Sequence, residues 1–320
     1  MPDQNHGREN LGSEMEYSDD SRAPSSTARK VVIISPCRDE AATLERTIAS
    51  MEAQSLQPAR WIVVDDGSTD DTPHLLESAA KRIPWLSVVR REDRGFRKVG
   101  GGVIEAFDAG RATIDFPYDF IAKLDVDLEF GPRYLERALE YFDDDEDLAA
   151  LSGQIYMRRN GRVVEEFSMI PEAVAGCFKL YKRDSFEKIG GFVQAVMWDG
   201  IDIHQSRIQG LKTVNLADPE LQIIHLRPMG ASDRSIWRGR LRWGEGQWFM
   251  GSNFPYLFAS GVNRMRERPY VLGGLLIIVG YLKAAVQGRP RYEDENFRRA
   301  LREWQWKRLF ETLGLGSRSQ

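Results

Sequence analysis

The sequence predicts an α/β fold in which a mostly parallel central sheet is flanked by helices and followed by a helical extension. Two observations predict it. Continuous apolar runs rich in Val and Ile alternate with segments whose apolar residues recur at helical spacing, as is typical of strands buried on both faces of a parallel sheet. Acidic residues directly follow two of these runs, at the position where open α/β sheets bind ligands.

The elements of the first half follow one another in regular alternation. Strands are predicted over Lys30–Ser35, Trp61–Val64, Leu86–Val89 and Phe120–Leu124, and helices over Glu40–Gln54, Thr72–Lys81 and Val103–Ala112. Repeated βαβ units imply right-handed crossovers and a Rossmann-like sheet. After Asp147 the pattern is weaker, and we expect a strand over Ala149–Met157, a turn at Ile189–Phe192 and a helix near Asp202–Gln209.

The composition is that of a globular protein, with 42% hydrophobic and 29% charged residues in 320. Residues 1–29 lack the apolar run of a signal peptide and are rich in polar residues, so we expect a disordered leader. The two cysteines, Cys37 and Cys177, do not indicate a disulfide framework. A reduced, cytoplasmic location is therefore expected, with residues 30–226 forming the α/β domain.

Residues 227–320 are predicted to be a basic helical extension, since they carry 17 Lys/Arg and only 8 Asp/Glu. The apolar segment Tyr270–Val286 is short for a membrane span and contains Gly and Lys. Phe297–Phe310 mixes Trp and Leu with Arg, as surface-bound amphipathic helices do. An anionic membrane surface is one expected partner, a helical hairpin packed on the body is the alternative, and nucleic acid is not expected.

Two acidic motifs are candidates for chemistry. Asp125 and Asp127 follow a predicted strand, and paired carboxylates can hold Mg²⁺ or Mn²⁺ together with phosphate oxygens. Asp65 and Asp66 follow another strand and precede Gly67. Either this motif is structural, with Ser68 or Asp70 capping the next helix, or a carboxylate here accepts hydrogen bonds from a nucleoside, and the two roles are compatible.

The segment 94–102 holds three cationic side chains, Arg94, Arg97 and Lys98, and then three glycines that lead into a predicted helix. Backbone amides at a helix start and nearby cations together suit a diphosphate. We therefore expect Arg97 and Lys98 to contact the phosphates of a nucleotide. A surface loop is the alternative interpretation.

Taken in order, the motifs resemble those of family 2 glycosyltransferases of GT-A fold, such as bacterial exopolysaccharide or cell-envelope enzymes. The resemblance covers about residues 30–226, and it rests on Pro36-Cys37-Arg38-Asp39-Glu40, Gln54, Val63-Val64-Asp65-Asp66-Gly67-Ser68-Thr69-Asp70, Asp125-Val126-Asp127 and Ile189-Gly190-Gly191-Phe192. Asp39 stands where Asn is usual. The resemblance implies a nucleotide-sugar half over residues 30–128 and an acceptor half over residues 129–226.

The same resemblance implies roles for individual residues. Pro36, Arg38, Glu40 and Asp66 would line the nucleotide pocket, and Asp125 and Asp127 would act at the metal diphosphate. Trp198-Asp199-Gly200-Ile201-Asp202 occupies the place of the family's acidic motif, with Gly200 where a second acid is usual. Asp199 is therefore the candidate catalytic base, although this segment can instead be a simple turn followed by a helix cap.

His225 follows a strand-like segment and is a candidate third metal ligand beside Asp125 and Asp127, since a neutral imidazole binds Mn²⁺ well. The predicted function is an inverting, metal-dependent transfer from a nucleoside diphosphate sugar to a glycan or lipid-linked glycan, at the inner face of the cell membrane. There are two alternative functions: a non-catalytic nucleotide-sugar or glycan-binding module, and a nucleotidyltransferase. The sequence argues against the nucleotidyltransferase, because no G-x-G-x-x-R/K loop follows the first strand.

Overall fold

A computed structural model provides the structure of the protein, and it describes residues 29–314 except 97, 99, 167–168, 228–235 and 267–268. The expected leader therefore lies almost entirely outside the described residues. The same holds for Arg97 and for the segment that follows Arg227.

The central sheet has seven strands among the described residues. They are β1 (Val31–Cys37), β2 (Arg60–Asp65), β3 (Leu86–Arg90), β4 (Phe120–Leu124), β6 (Leu148–Gly153), β9 (Phe178–Lys182) and β10 (Lys212–Leu216). Their spatial order is β10-β6-β9-β4-β1-β2-β3. All neighbours pair in parallel except β9, which is antiparallel to both β4 and β6. The predicted α/β fold with a mostly parallel sheet is confirmed.

Helices cover both faces of this sheet. They are α1 (Leu44–Glu52), α2 (Thr72–Arg82), α3 (Gly101–Arg111), α4 (Tyr134–Asp144), α5 (Arg183–Lys188) and α6 (Trp198–Ile208). Successive strand residues point to opposite faces, so Ile33 packs in the core beneath α1, α2 and α4, while Ile34 packs in the core beneath α3 and α5. Burial on both faces explains why the strands are continuous apolar runs.

A second, smaller sheet lies beside the first. It comprises β5 (Leu128–Phe130), β7 (Ile155–Arg159), β8 (Arg162–Glu165) and β11 (Ile223–His225), in the order β5-β11-β7-β8. The expected single strand over Ala149–Met157 is wrong, because the chain leaves the large sheet at Gly153 and enters the small one. A Cβ at Gly153 would lie 1.5 Å from the carbonyl oxygen of Leu221, so the crossing admits only glycine.

Four helices follow in the C-terminal part: α7 (Ile236–Met250), α8 (Phe254–Asn263), α9 (Leu272–Val286) and α10 (Glu295–Thr312). The backbones of α7 and α9 approach closely, since a Cβ at Gly280 would lie 2.1 Å from the carbonyl oxygen of Leu241. α10 packs on α6 through Phe297 and Leu301, which share a core with Ile201. No helix within the described ranges is long and apolar enough to cross a membrane.

The helix expected near Asp202 begins earlier, at Trp198, and this corrects the interpretation of Asp199 as part of a preceding turn. Its N-cap, Met197, has a left-handed backbone with φ of 68°. No helix-start signal is visible there, because the cap is neither Ser, Thr, Asp nor Asn. Asp199 therefore lies in the first turn of α6.

Candidate active site

A pocket of about 280 Å³ lies at the carboxyl ends of β1, β2 and β4, where ligands bind in open α/β sheets. It gathers residues from the predicted motifs with several others. The lining side chains that carry charge are Arg38, Glu40, Asp66, Lys98, Lys123, Asp125, Asp127, Asp199, His225 and Arg227. Pro36 also lines it, and Asp65 does not.

The segment after β1 is fixed against the loop after β2. The guanidinium of Arg38 donates to the carbonyl oxygen of Asp66 at 2.6 Å and to the carboxylate of Asp93 at 2.6 Å. The backbone N–H of Glu40 donates to the hydroxyl of Thr72 at 2.8 Å. Arg38 and Glu40 are buried, so this segment is a rigid wall of the pocket.

The two carboxylates after β2 have different environments. Asp65 accepts a hydrogen bond from the backbone N–H of Ser68 at 2.8 Å, which closes the turn at Gly67. Asp66 faces the pocket and pairs with the guanidinium groups of Arg91 and Arg94. Asp65 is thus a structural group of the turn, and Asp66 is the carboxylate that lies where a nucleoside can reach it.

Lys98 lies at the pocket edge and forms an ion pair with Glu105 of α3. Arg94 pairs with the same carboxylate, and the hydrogen bonds from Lys98 and Arg94, together with their charges, lower the pKa of Glu105 against the effect of burial. Both cations are thus tied to the start of α3. Arg97, the other predicted phosphate contact, is outside the described residues.

Asp127 is at the centre of a chain of charged groups. Its carboxylate accepts a hydrogen bond from Arg227 at 2.6 Å and lies 3.5 Å from the Nε2 atom of His225. The other nitrogen of His225 lies 2.9 Å from the carboxylate of Glu166, and Arg227 also donates to Glu40 at 2.6 Å. The chain therefore runs from Glu40 through Arg227, Asp127 and His225 to Glu166.

This series of charged groups shifts the pKa values of both His225 and Asp127. Burial alone would lower the pKa of His225, but its hydrogen bonds to Asp127 and Glu166 and their charges raise it to about 10. Burial would raise the pKa of Asp127, but His225 and Arg227 lower it to about 2. His225 is therefore a cation at neutral pH in this arrangement.

The donor set fits a divalent ion in part. Asp127 and His225 place an oxygen and a nitrogen ligand 3.5 Å apart in the pocket, and Glu166 orients the imidazole from behind, as carboxylates behind metal-bound histidines do. The third expected ligand, Asp125, turns instead to the ammonium of Lys123. The described part of the chain contains no group of three candidate ligands placed to hold a metal ion, and the two aspartates are paired with Lys123 and Arg227.

Asp199 brings a carboxylate into the same pocket from α6. Its side chain is exposed and lies beside Gly176, where a Cβ would be 3.1 Å from the Asp199 carboxylate. Gly176 thus leaves space for this carboxylate, and the pocket holds a solvent-accessible acid in addition to the Asp127 group.

Three charged groups of the site, Glu166, Lys123 and Arg227, were not predicted from the sequence. Glu166 lies 59 positions before its partner His225, and no local pattern marks it. Lys123 is inside a predicted strand, where a buried lysine is unexpected. Arg227 was detectable in principle, since it follows the His225 candidate by two residues, just beyond the end of β11.

Comparison with known proteins identifies a family for part of the chain. The family model described as glycosyl transferase family 2 matches residues 32–188. Residues 32–188 belong to glycosyl transferase family 2. The matched region includes the wall after β1, Asp66, Asp125 and Asp127, and it ends before Asp199 and His225.

Parts of the chain are similar to two named enzymes. The chain is 21% identical over 239 residues to the poly-beta-1,6-N-acetyl-D-glucosamine synthase of Staphylococcus aureus strain COL, an alignment that covers 68% of this chain and 54% of the relative. The chain thus spans about half the length of that relative. It is also 31% identical over 109 residues to the validoxylamine A glucosyltransferase of Streptomyces hygroscopicus subsp. jinggangensis, covering 33% of this chain and 24% of the other.

Solved structures of glycosyltransferases share the fold. The mannosyltransferase PcManGT of Pyrobaculum calidifontis, in complex with GDP-Man and Mn²⁺, matches with a TM-score of 0.50 at 19% identity over 90% of this chain and 88% of its own. GalNAc-T7 with UDP, GalNAc and Mn²⁺ matches with a TM-score of 0.54 at 14% identity over 77% and 52%. The predicted GT-A fold is therefore confirmed.

Proposed function

We propose that the protein transfers a sugar from a nucleoside diphosphate sugar to an acceptor hydroxyl, with inversion at the anomeric carbon and with the help of Mn²⁺ or Mg²⁺. One observation carries the proposal. The pocket brings the nucleotide-side residues Arg38 and Asp66, the Asp127–His225 pair and the accessible carboxylate of Asp199 into one space. The pocket therefore has residues for the nucleoside of the donor, for its diphosphate and for the acceptor hydroxyl in one place.

On the donor side, Asp66 and the wall formed by Pro36, Arg38 and Glu40 receive the nucleoside. The diphosphate lies toward Asp127, where Lys98 and Arg227 supply positive charge. Cations placed where charge develops on a leaving group stabilise the transition state. Two similar structures were solved with a guanine or uracil nucleotide and Mn²⁺, which supports a nucleotide donor for this chain.

The metal would be held by Asp127 and His225, with Asp125 as a further ligand and diphosphate oxygens and water in the remaining positions. When bound, it supplies Lewis-acid stabilisation of the departing diphosphate. His225 must lose its proton to bind a metal, since only the neutral imidazole is a ligand. Arg227 must also leave the Asp127 carboxylate, and the incoming diphosphate is an alternative anion for its guanidinium.

On the acceptor side, Asp199 acts as the general base. The acceptor oxygen attacks the anomeric carbon and forms the new glycosidic bond, while the bond to the phosphate oxygen breaks and the nucleoside diphosphate leaves with the electron pair. The acceptor proton moves to the carboxylate of Asp199. A single displacement of this kind inverts the anomeric centre.

The test separates the two sides of the pocket. In Asp199→Asn we expect turnover to fall at least 100-fold, within the range that general bases contribute, while the affinity for the nucleoside diphosphate changes less than twofold. Affinity is measured by titration calorimetry and turnover by nucleoside diphosphate release. Asp184→Asn, an exposed carboxylate of α5 outside the pocket, is the matched control. Wild-type turnover in Asp199→Asn would remove Asp199 from this role.

We further propose that the acceptor is a glycan or lipid-linked glycan and that the chain is peripheral at the inner face of the cell membrane. Adjoining faces of α8 and α9 carry exposed apolar side chains: Phe254, Phe258, Val262, Leu272, Leu275, Val279, Leu282 and Val286. The two helices lie side by side, since Gly261 contacts Gly274 and the Phe254 ring lies 5.9 Å from the Tyr281 ring. An apolar face within a basic extension suits an anionic lipid surface.

Vesicle flotation tests the membrane proposal. We expect the protein to float with vesicles that contain phosphatidylglycerol and to remain unbound with phosphatidylcholine alone. The double variant Phe258→Glu/Leu275→Glu should abolish flotation, whereas Val163→Glu, at an equally exposed apolar residue of β8, should not. Equal flotation of the double variant and the wild type would contradict the assignment of this surface.

A further inference from the structure

A buried ammonium group lies directly behind the candidate base and outside the pocket. Lys179 is on β9, the antiparallel strand between β4 and β6, and its side chain is fully buried. Its Nζ donates to the two carboxylate oxygens of Asp202 at 2.7 and 2.6 Å and to the backbone carbonyl oxygen of Asp199 at 2.8 Å. All three N–H donors of the ammonium are therefore directed at α6.

A contribution to folding stability does not by itself explain the buried ion pair of Lys179 and Asp202. Burying an ion pair removes two charges from water, and well-packed apolar residues of similar volume stabilise a core as well or better. What an apolar pair cannot supply is a directional hydrogen bond to one carbonyl in the first turn of a helix. The bond from Lys179 to the Asp199 carbonyl is of this kind.

The first turn of α6 requires such a restraint. Met197, its N-cap, has φ of 68°, a conformation that residues other than glycine adopt only at a cost in energy. On its outer side Met197 packs against Gly246 of α7, where a Cβ would lie 2.5 Å from its Cγ. Lys179 holds the same turn from the inner side, so Asp199 lies in a segment fixed from both directions.

Trp198 connects this restraint to the metal side of the pocket. Its ring centre lies 5.2 Å from each of two buried ammonium groups, those of Lys179 and Lys123. Lys123 in turn pairs with Asp125 and donates to the carbonyl oxygen of Gly176 at 2.8 Å. One layer of side chains thus supports both Asp125 and Asp199 from beneath.

We propose that Lys179 is a positioning residue for Asp199: its ammonium, neutralised by Asp202, fixes the first turn of α6 so that the Asp199 carboxylate faces the acceptor hydroxyl. The inference rests on the proposed role of Asp199. Lys179 itself does not line the pocket and touches neither donor nor acceptor. Its removal should therefore impair the transfer step and leave nucleotide binding intact.

The main test variant is Lys179→Met/Asp202→Asn, which removes both charges together and leaves an amide to accept the hydrogen bond of the Tyr181 hydroxyl. We expect kcat to fall at least tenfold, while the KM for the donor and the Kd for the nucleoside diphosphate change less than twofold. Amide hydrogen exchange should become faster in residues 198–203 and stay unchanged in β1 and β2. Lys179→Gln is measured alongside, so that the test does not depend on one variant folding.

Two controls separate positioning from packing. Tyr181→Phe removes another hydrogen bond to Asp202, at 2.7 Å, without a bond to Asp199, and should keep kcat within threefold of the wild type. Lys182→Met removes a neighbouring lysine of the same strand that donates to the carbonyl oxygen of Glu146, and should leave kcat unchanged. A positioning role requires that the Lys179 variants differ from both.

The inference is overturned if kcat and exchange in residues 198–203 stay at wild-type values in the Lys179 variants. It is also overturned if nucleotide affinity falls in parallel with kcat, because the pair would then support the whole pocket. Failure of the proposed function is a separate result. If Asp199→Asn keeps wild-type turnover, the base is misassigned, whereas an inactive Asp199→Asn beside a fully active Lys179→Met/Asp202→Asn defeats only the positioning role.

Discussion

The buried imidazole of His225 leads to a quantitative prediction about stability and pH. Its pKa, ordinarily 6.5, is raised to about 10 in the folded state, chiefly by Asp127 and Glu166 acting against burial. Because the folded state holds this proton more tightly than the unfolded chain, the stabilisation is fully present below pH 6.5 and is lost as pH rises through about 10. At about 1.4 kcal/mol per pKa unit, the contribution is on the order of 3–5 kcal/mol.

The perturbation is His225→Gln, which keeps a polar side chain and removes the titrating group. The assay is urea unfolding of wild type and variant at pH 6, 8 and 10 in the absence of divalent ions. We expect the free energy of unfolding of the wild type to exceed that of the variant by a few kcal/mol at pH 6, and the difference to shrink steadily toward pH 10. If the difference in free energy of unfolding between wild type and variant is the same at all three pH values, the series of charged contacts from Glu40 to Glu166 is refuted.

Other substitutions test the fold around the site. Gly280→Ala should lower the free energy of unfolding, measured in urea, by about 1–3 kcal/mol, because its Cβ would lie 2.1 Å from the carbonyl oxygen of Leu241. Gly239→Ala on α7 is the control, since a Cβ there has open space around it. This control should be neutral or should stabilise the fold by up to about 1 kcal/mol. Equal effects of the two would contradict the close packing of α7 and α9. Gln54→Leu should lower the free energy of unfolding by about 2–4 kcal/mol, measured by thermal or urea unfolding. The substitution removes the hydrogen bond from Gln54 to the Gly131 carbonyl oxygen at 2.8 Å and the one it accepts from the Leu135 N–H at 3.0 Å. A loss under about 0.5 kcal/mol would contradict the stabilising role of these two hydrogen bonds.

Local patterns in the sequence predict the first half of the fold well. The strand expected over Phe120–Leu124 has these same bounds, and the helix expected from Thr72 begins there. Strands buried on both faces need continuous apolar residues, so the pattern and the environment agree residue by residue. The same agreement places the carboxylates of Asp66, Asp125 and Asp127 at one edge of the sheet.

Part of the second half of the fold depends on tertiary contacts that no local pattern shows. β9 contains two lysines among its five residues, yet Lys179 is buried because Asp202 neutralises it. α4 was not predicted, although Tyr134, Leu135, Ala138, Leu139 and Phe142 have helical spacing and are buried. Local spacing was therefore sufficient for α4, whereas the burial of Lys179 follows only from the packing of α6 against the sheet.

In the candidate site, too, local sequence patterns predict some features and tertiary contacts determine the others. Motif residues that follow strands could be placed from the sequence, and the structure brings Pro36, Arg38, Glu40, Asp66, Lys98, Asp125, Asp127, Asp199 and His225 to one pocket. Their protonation and pairing could not be placed, because these depend on Glu166 and Arg227, which come from distant segments. The expected three-ligand metal set is the clearest case, since Asp125 is paired with Lys123 and Asp127 with Arg227.

The central claim is that this pocket transfers sugar from a nucleoside diphosphate donor through Asp127 and its neighbours. The most direct measurement is nucleoside diphosphate release from a panel of UDP- and GDP-sugars, with Mn²⁺ or Mg²⁺ and with chelator, for the wild type and for Asp127→Ala. We expect metal-dependent release with at least one donor and a loss of at least 100-fold in Asp127→Ala. No release by the wild type with any donor, or release that Asp127→Ala leaves unchanged, would contradict the account.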